Sequence, residues 1–337
     1  MRKTHHQAGS ILKWVLAIIA LLAILLVAWV MYVRANPLAV YKKTTRRALA
    51  RAGLELASFD SSVGRLVYWE AGEGPTLVLL HGAGDQSGAF QAIVSGLLAE
   101  YRLLIPDIPG HGDSEPAEGN LKMTTMYAGI AEFLAAKAGD EPSILIGSSM
   151  GAWIATIHAH RQPQAVAWII AINGGPLVGN RPDLSLTPPD REAARRLMQA
   201  LRDPASEPWP DYLLDDIVEQ SAKGPIGRMT AEFFDLTAHL LEGKLDEVEV
   251  PVDLIWGESD QLLSLAYAGR MHDQLPRSRL TTIAGCGHHP ANECPAKLAV
   301  TLGEVLKMGP PPLPLLPLLP IKQPDTGSEA TQEQATE

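Results

Sequence analysis

Residues 144–160 read ILIGSSMGAWIATIHAH, an apolar run that breaks at Gly147-Ser148-Ser149-Met150-Gly151 and resumes with helical character. A G-x-S-x-G pentapeptide between a strand and a helix is a nucleophile elbow, and its demands are steric. A strand that turns abruptly into a helix holds the central residue in a strained backbone conformation, so its neighbours two before and two after must lack bulk. Gly147 and Gly151 meet that demand. The helix that follows aims its positive end at Ser149, which favours negative charge developing there.

A serine hydroxyl is a weak nucleophile and needs a base, and the base needs a residue that orients it. Downstream, WGESDQ places Asp260 just past one apolar run, and AGCGHHPANECP places His288 just past the next. Ser149, Asp260 and His288 thus follow one another along the chain, each expected at the carboxyl end of a strand, where open α/β sheets place their sites. Rival residues are weaker. Ser148 lies off the apex, and His289 follows His288 directly. Asp107 and Asp113 precede the serine, Asn173 cannot carry charge, and His81, His111, His158 and His160 read as structural.

Outward from the elbow, short apolar runs alternate with helical stretches, as expected of a mostly parallel twisted sheet with helices on both faces. LELASF and RLVYWE read as an entry hairpin, and strands are expected over 76–80, 102–106, 143–147, 165–172, 252–256 and 279–284. Helices are expected over 87–98, 123–138, 150–160, 264–275 and 294–307. The spacing breaks once. Between Ile172 and Val252 lie segments of helical character near 189–202, 210–222 and 229–243, which predict a helical cap over about 176–248. Trp209, Tyr212, Leu213, Phe233, Phe234 and Leu240 are its apolar residues, expected to form an acyl pocket as a group or to pack within the cap.

Five segments, LLHGAG (79–84), PDIPGHGDS (106–114), the elbow, GESD (257–260) and GCGH (285–288), match in order the landmarks of the α/β-hydrolase superfamily, which residues 53–307 resemble. The resemblance implies an α/β-hydrolase fold in which Ser149 attacks, His288 takes its proton and Asp260 holds the imidazole. It further implies an oxyanion hole made of the backbone N–H groups of Ala83 and Met150. The chain departs from the family in one place, with Ser148 where a histidine often precedes the nucleophile.

The N-terminus is of another kind. Trp14 to Val33 is twenty residues without a charge, the length of a helix that crosses about 30 Å of hydrocarbon, and it is expected to be one uncleaved transmembrane helix after a tail of residues 1–13. A cleaved signal peptide, ending near Val33-Arg34-Ala35, fits less well: the run exceeds an h-region of about 7 to 15 residues, and Arg34 sits badly in a cleavage site. Three basic residues precede the helix, while Arg34, Lys42, Lys43, Arg46, Arg47 and Arg51 follow it, a count that favours a cytoplasmic body. The juxtamembrane segment 34–52 reads either as a short helix on an anionic leaflet or as a solvated linker. Residues 309–337, rich in proline and then acidic, are expected to be extended and then disordered, with no protein partner identified for them.

Charge and composition exclude other classes. Residues 1–51 hold nine Lys or Arg and no Asp or Glu, which leaves 19 basic against 38 acidic residues beyond them. A body of net charge −19 does not suit nucleic acid. Cys286 and Cys294 lack metal-ligand spacing and are expected to be free thiols, so no metal is expected. Nucleotide-binding glycine motifs are missing and no cofactor is expected. The function this predicts is a membrane-anchored serine hydrolase of lipophilic carboxylic esters, a lipid or small-molecule substrate. Thioesterase, carbon–carbon bond hydrolase, acyltransferase or a silent anchored scaffold are the alternatives.

Overall fold

The computed structural model describes residues 4–179, 183–230 and 232–312, side chains from Lys13 onward, with those of Phe233 and Phe234 outside the described set. In chain order, helices α1 (Thr4–Ala35) and α2 (Pro37–Arg51) precede strands β1 (Glu55–Ser61), β2 (Gly64–Ala71) and β3 (Thr76–Leu80). Then come α3 (Val94–Leu97), β4 (Arg102–Pro106), α4 (Met123–Lys137), β5 (Ser143–Ser148), α5 (Met150–Arg161) and β6 (Val166–Ile172). The insert holds α6 (Arg191–Ala200), α7 (Asp211–Lys223), α8 (Pro225–Thr230) and α9 (Phe233–Thr237). The chain continues with β7 (Val252–Gly257), α10 (Leu265–Gln274), β8 (Ser278–Ile283), α11 (Pro290–Glu293) and α12 (Pro295–Met308).

The eight strands form one sheet in the order β1-β2-β4-β3-β5-β6-β7-β8. β1 and β2 pair antiparallel, β2 meets β4 antiparallel, and every pairing from β4 to β8 is parallel. Alternate residues of the strands feed opposite faces, as the two-residue period requires. Val78, Leu80, Leu145, Ile169, Leu254 and Trp256 point into the layer made by α4, α5 and α10. Leu77, Leu79, Ile146, Ile170 and Ile255 point into the other, covered by Phe90, Val94, Leu298 and Leu302.

Leu49 of α2 is fully buried in that second layer. Residues 37–51 are therefore neither a solvated linker nor a helix held only by lipid; they are a structural part of the body. Lys13–Ala35 of α1 is long and apolar enough to cross a membrane, and its side chains pack against almost nothing. The expected helix over 87–98 is instead a 3-10 turn (Ser87–Phe90), capped at its start by the Gln86 side chain accepting from the N–H of Gly88, and the short α3. The segment 229–243 is likewise divided. α8 begins at Pro225 after Gly224 ends α7, and Asp235 of α9 turns its carboxylate to the N–H and hydroxyl of Thr124 on α4. At the C-terminus Gly309 ends α12 at φ 71°, and the Pro311 carbonyl accepts from Arg277; residues 313–337, on which the expected disordered tail falls, lie outside the described residues.

Candidate active site

Ser149 sits at the junction of β5 and α5 with φ 51° and ψ −114°, a conformation costly for a residue with a Cβ. Close packing holds it there. A Cβ at Gly147 would fall on the backbone of Ala152, and one at Gly151 on the carbonyl of Leu80. A Cβ at Gly174 would fall on the backbone of Ser149 itself, so Gly174, outside the pentapeptide, is a third glycine this bend requires. The N–H of Ser149 donates to the Ile172 carbonyl at 2.9 Å and ties the bend to β6.

The structure brings Ser149, His288 and Asp260 into one chain of hydrogen bonds. Nε2 of His288 lies 3.0 Å from Oγ of Ser149, and Nδ1 lies 2.7 Å from Oδ2 of Asp260. Both His288 and Asp260 are buried. Facing a carboxylate, Nδ1 carries the ring proton, which leaves Nε2 free to accept from the serine hydroxyl. The Asp260 carboxylate is fully satisfied: Oδ1 accepts from the N–H groups of Leu262 and Leu263, each at 2.9 Å, and Oδ2 also accepts from Nδ2 of Asn173 at 2.7 Å. Asn173 adopts φ 47° and its own carbonyl oxygen Oδ1 accepts from the N–H of Gly257. Its place at the end of β6 was legible in the sequence; its bond to Asp260 across the sheet was not.

His289 stacks edge-on against His288 with ring centroids 4.8 Å apart. Desolvation, then its neighbour His288, push it down to about 3, so it stays neutral beside the His288 imidazole. His81 donates from Nδ1 to the Gly82 carbonyl and accepts at Nε2 from the N–H of Ile108, and burial lowers its pKa. His111 is held by the Pro109 carbonyl, and burial pushes it down to about 3. Both brace the loops beside the serine. Asp107 accepts from the N–H groups of Ser87 and Asp113 and from Arg46 of α2.

Met150 opens α5, so its N–H has no intrahelical acceptor. Ala83 follows Gly82, whose position lies against Ser149: a Cβ there would be 3.3 Å from the serine Cβ. Above this loop the cap supplies Ile226 of α8, whose Cδ1 would meet a Cβ at Gly84. Ile226 carried no sequence signal, because which cap residue overhangs the elbow depends on tertiary docking. Trp209 and Leu213 pack instead with Ala194, Leu214 and Ile217 in a small core of the cap that also takes Leu38 of α2.

The cap is fastened to both relay loops by main chain. The Leu201 carbonyl accepts from the N–H of His288 at 2.8 Å, and the Ala200 carbonyl accepts from the N–H of Gln261 at 3.0 Å. The cysteines are corrected from the expected free thiols. Cys286 and Cys294 form a disulfide with Cα atoms 6.0 Å apart, within the ordinary span of such a bond. The single turn of α11 folds the chain back after His289, so a pair eight residues apart meets although its spacing fits no motif. Among the described residues no group of three or more His, Cys, Asp or Glu side chains is arranged to hold a metal ion.

Known proteins are similar to this chain in sequence and fold. A pimeloyl-[acyl-carrier protein] methyl ester esterase of Aromatoleum aromaticum is 29% identical over 253 residues, covering 69% of this chain and 98% of its own length. A mouse monoacylglycerol lipase, ABHD6, is 24% identical over 259 residues, covering 70% of this chain and 76% of its own. The crystal structure of a membrane phospholipase A is 26% identical and superposes with a TM-score of 0.66, covering 88% of this chain and 98% of that one. Residues 77–301, from β3 through the serine bend, the cap and both relay loops into α12, match the model of the alpha/beta hydrolase family, and the chain belongs to that family.

Proposed function

We propose that the chain is a membrane-anchored serine hydrolase of lipophilic carboxylic esters. The observation that carries this reading is the run of bonds from Ser149 through His288 to Asp260, at 3.0 and 2.7 Å. The Ser149 oxygen attacks the ester carbonyl while its proton passes to Nε2 of His288, and Asp260 stabilises the imidazolium formed. The N–H groups of Met150 and Ala83 receive the oxyanion; a donor of this kind is worth about 3 to 4 kcal/mol in the transition state. Collapse expels the alcohol, which leaves with the proton from His288. Water, deprotonated by the same imidazole, then attacks the acyl-serine, and the acid departs as Ser149 regains its proton.

The ester class is supported by the names of the three relatives, an acyl methyl ester esterase, a monoacylglycerol lipase and a phospholipase A. The anchor reading is supported by Lys13–Ala35 of α1. For the side of the membrane, the Cys286–Cys294 disulfide favours the oxidising face, against the count of basic residues that favours the cytoplasm. Alkylating whole cells before and after reduction checks this: two thiols that react only after reduction support the oxidising side, and two that react beforehand place the body in the cytoplasm.

Labelling of the full chain by a fluorophosphonate tests the chemistry. Ser149→Ala is expected to abolish both labelling and hydrolysis of a medium-chain ester, whereas Ser148→Ala retains most of each. Labelling that survives Ser149→Ala and disappears with Ser148→Ala sinks the assignment.

A further inference from the structure

The juxtamembrane helix α2 has two faces of different chemistry, and only one is occupied by the body. On the inner face Lys42 donates to the Gly112 carbonyl and pairs with Asp113 at 2.5 Å, and Arg46 pairs with Asp107 at 2.7 Å. Thr45 accepts from the Gln86 amide at 3.0 Å, and Leu49 is fully buried. These four residues follow the i, i+3, i+4, i+7 spacing of one helix face. Lys43, Arg47 and Arg51 repeat every fourth residue on the opposite side, all exposed, and among the described residues none has an ionic partner. The helix contains no acidic residue.

We infer that Lys43, Arg47 and Arg51 form a docking stripe for the phosphate headgroups of anionic lipids in the bilayer that α1 spans, an inference that rests on the anchor reading above. Continuity selects this partner. Asn36 alone separates the end of α1 at Ala35 from the start of α2 at Pro37. Lys43 lies about 9 Å along α2, and the stripe runs about 12 Å further, at 1.5 Å per residue. Near the end of α1 the rings of Trp29 and Tyr32 stack with centroids 6.0 Å apart, where an aromatic belt meets headgroups. The remainder of the chain beyond residue 51 carries 19 excess negative charges, which an anionic leaflet repels. Screening at physiological salt acts within about 8 Å, so the charges nearest the surface decide the contact. On α2 the cations left without a carboxylate to meet that surface are those of the stripe. Because the inner face of the same helix holds Gln86 and Asp107, docking of the stripe fixes how the loop bearing Ala83 is presented to the membrane.

Three cations near an anionic surface convert to roughly a hundredfold preference for the docked helix. The test uses the full chain carrying an environment-sensitive fluorophore on Ala50→Cys, an exposed position of α2, reconstituted in phosphatidylcholine vesicles with or without 30% phosphatidylglycerol. Flotation with the neutral vesicles is measured first. The expected result is a blue shift on adding phosphatidylglycerol that 0.5 M salt reverses. It is lost in Lys43→Gln/Arg47→Gln/Arg51→Gln, whose hydrolysis of a water-soluble short-chain ester is unchanged, and it is not reproduced by free glycerol phosphate. Flotation with the same emission in both lipids, or with the shift retained in the triple variant, overturns the stripe alone. A chain that fails to float overturns the anchor and the stripe together.

Discussion

The carboxylate of Glu293 accepts a 2.6 Å hydrogen bond at Oε2 from the backbone N–H of Gly287, one residue before His288. Its other oxygen accepts from the N–H of Asp203 at 2.8 Å and from the Ser206 hydroxyl at 2.5 Å, both in the segment that follows α6 of the cap. A side chain only 5% exposed thus ties the histidine loop to the cap, and Arg202 stands 3.8 Å away as its counter-charge.

Glu293→Gln keeps the size and one acceptor but turns an N–H2 group toward a donor. Leaving one buried N–H unsatisfied costs about 1 to 3 kcal/mol. The expected outcome is a kcat lowered about tenfold with KM within twofold, because His288 loses register with Ser149 while the bonds of Ala200 and Leu201 still hold the cap in place. Steady-state kinetics with a short and a long ester decide this; a change confined to melting temperature makes Glu293 a brace of the fold only.

Arg46 is the cation of a buried pair whose acid, Asp107, is fully shielded from solvent. Burial works to raise the Asp107 pKa, but Arg46, His81 and the N–H groups of Ser87 and Asp113 outweigh it and hold the carboxyl below its ordinary range. Removing one partner of a buried pair leaves an uncompensated charge and costs about 3 to 5 kcal/mol. Arg46→Met is therefore expected to lower stability by that amount, and Arg46→Met/Asp107→Asn to recover part of it. Urea unfolding of both variants checks the coupling. Equal losses in both deny that the charge is what matters.

The strands, the serine bend and the order of Ser149, Asp260 and His288 were legible in the sequence because period, glycine spacing and strand ends are local signals. The features missed are tertiary. Glu293 and Ile226 owe their places to how the cap docks, and Asn173 meets Asp260 only because β6 and β7 are neighbours in the sheet. The α2 helix misled for the same reason. Its basic residues suggest solvent or lipid when read along the chain, while Asp107 and Asp113, which neutralise two of them, lie some sixty to seventy residues away. The disulfide had no spacing signature and needed the turn of α11.

His158 on α5 is buried, and among the described residues its Nδ1 has no hydrogen-bond partner. Desolvation pushes its pKa down to about 4 from the ordinary 6.5. Between those values the unfolded chain binds the proton and the folded chain does not, so stability falls as pH drops from about 6.5 to about 4. The full effect is on the order of 3 kcal/mol below both values. His158→Leu is expected to flatten that part of the acid limb and to leave stability at pH 7 level or higher. Thermal or urea melts from pH 7.5 to 4 measure it, and an unchanged slope would assign the acid loss to other groups, with His111 and His289 the next to test.

Ile226 overhangs Gly84, two residues after Gly82, whose position lies against Ser149. Trp209 and Leu213, by contrast, are taken up in the small core of the cap with Leu38. Chain-length selection is therefore expected to respond to Ile226 and not to those two. Each methylene buried or excluded is worth about 1 kcal/mol, so a ring inserted where Ile226 stands and excluding two methylenes changes kcat/KM for long esters by roughly tenfold or more. Ile226→Trp should lower kcat/KM for octanoyl and longer esters relative to acetyl esters, with fluorophosphonate labelling of Ser149 within twofold of the parent. Trp209→Ala should instead lower stability by about 1 to 3 kcal/mol, less than loss of a fully buried aromatic because the ring is only partly covered, and leave the ratio of long to short esters unchanged. A uniform fall for every chain length in Ile226→Trp would mean that the side chain supports the loop and does not read the substrate.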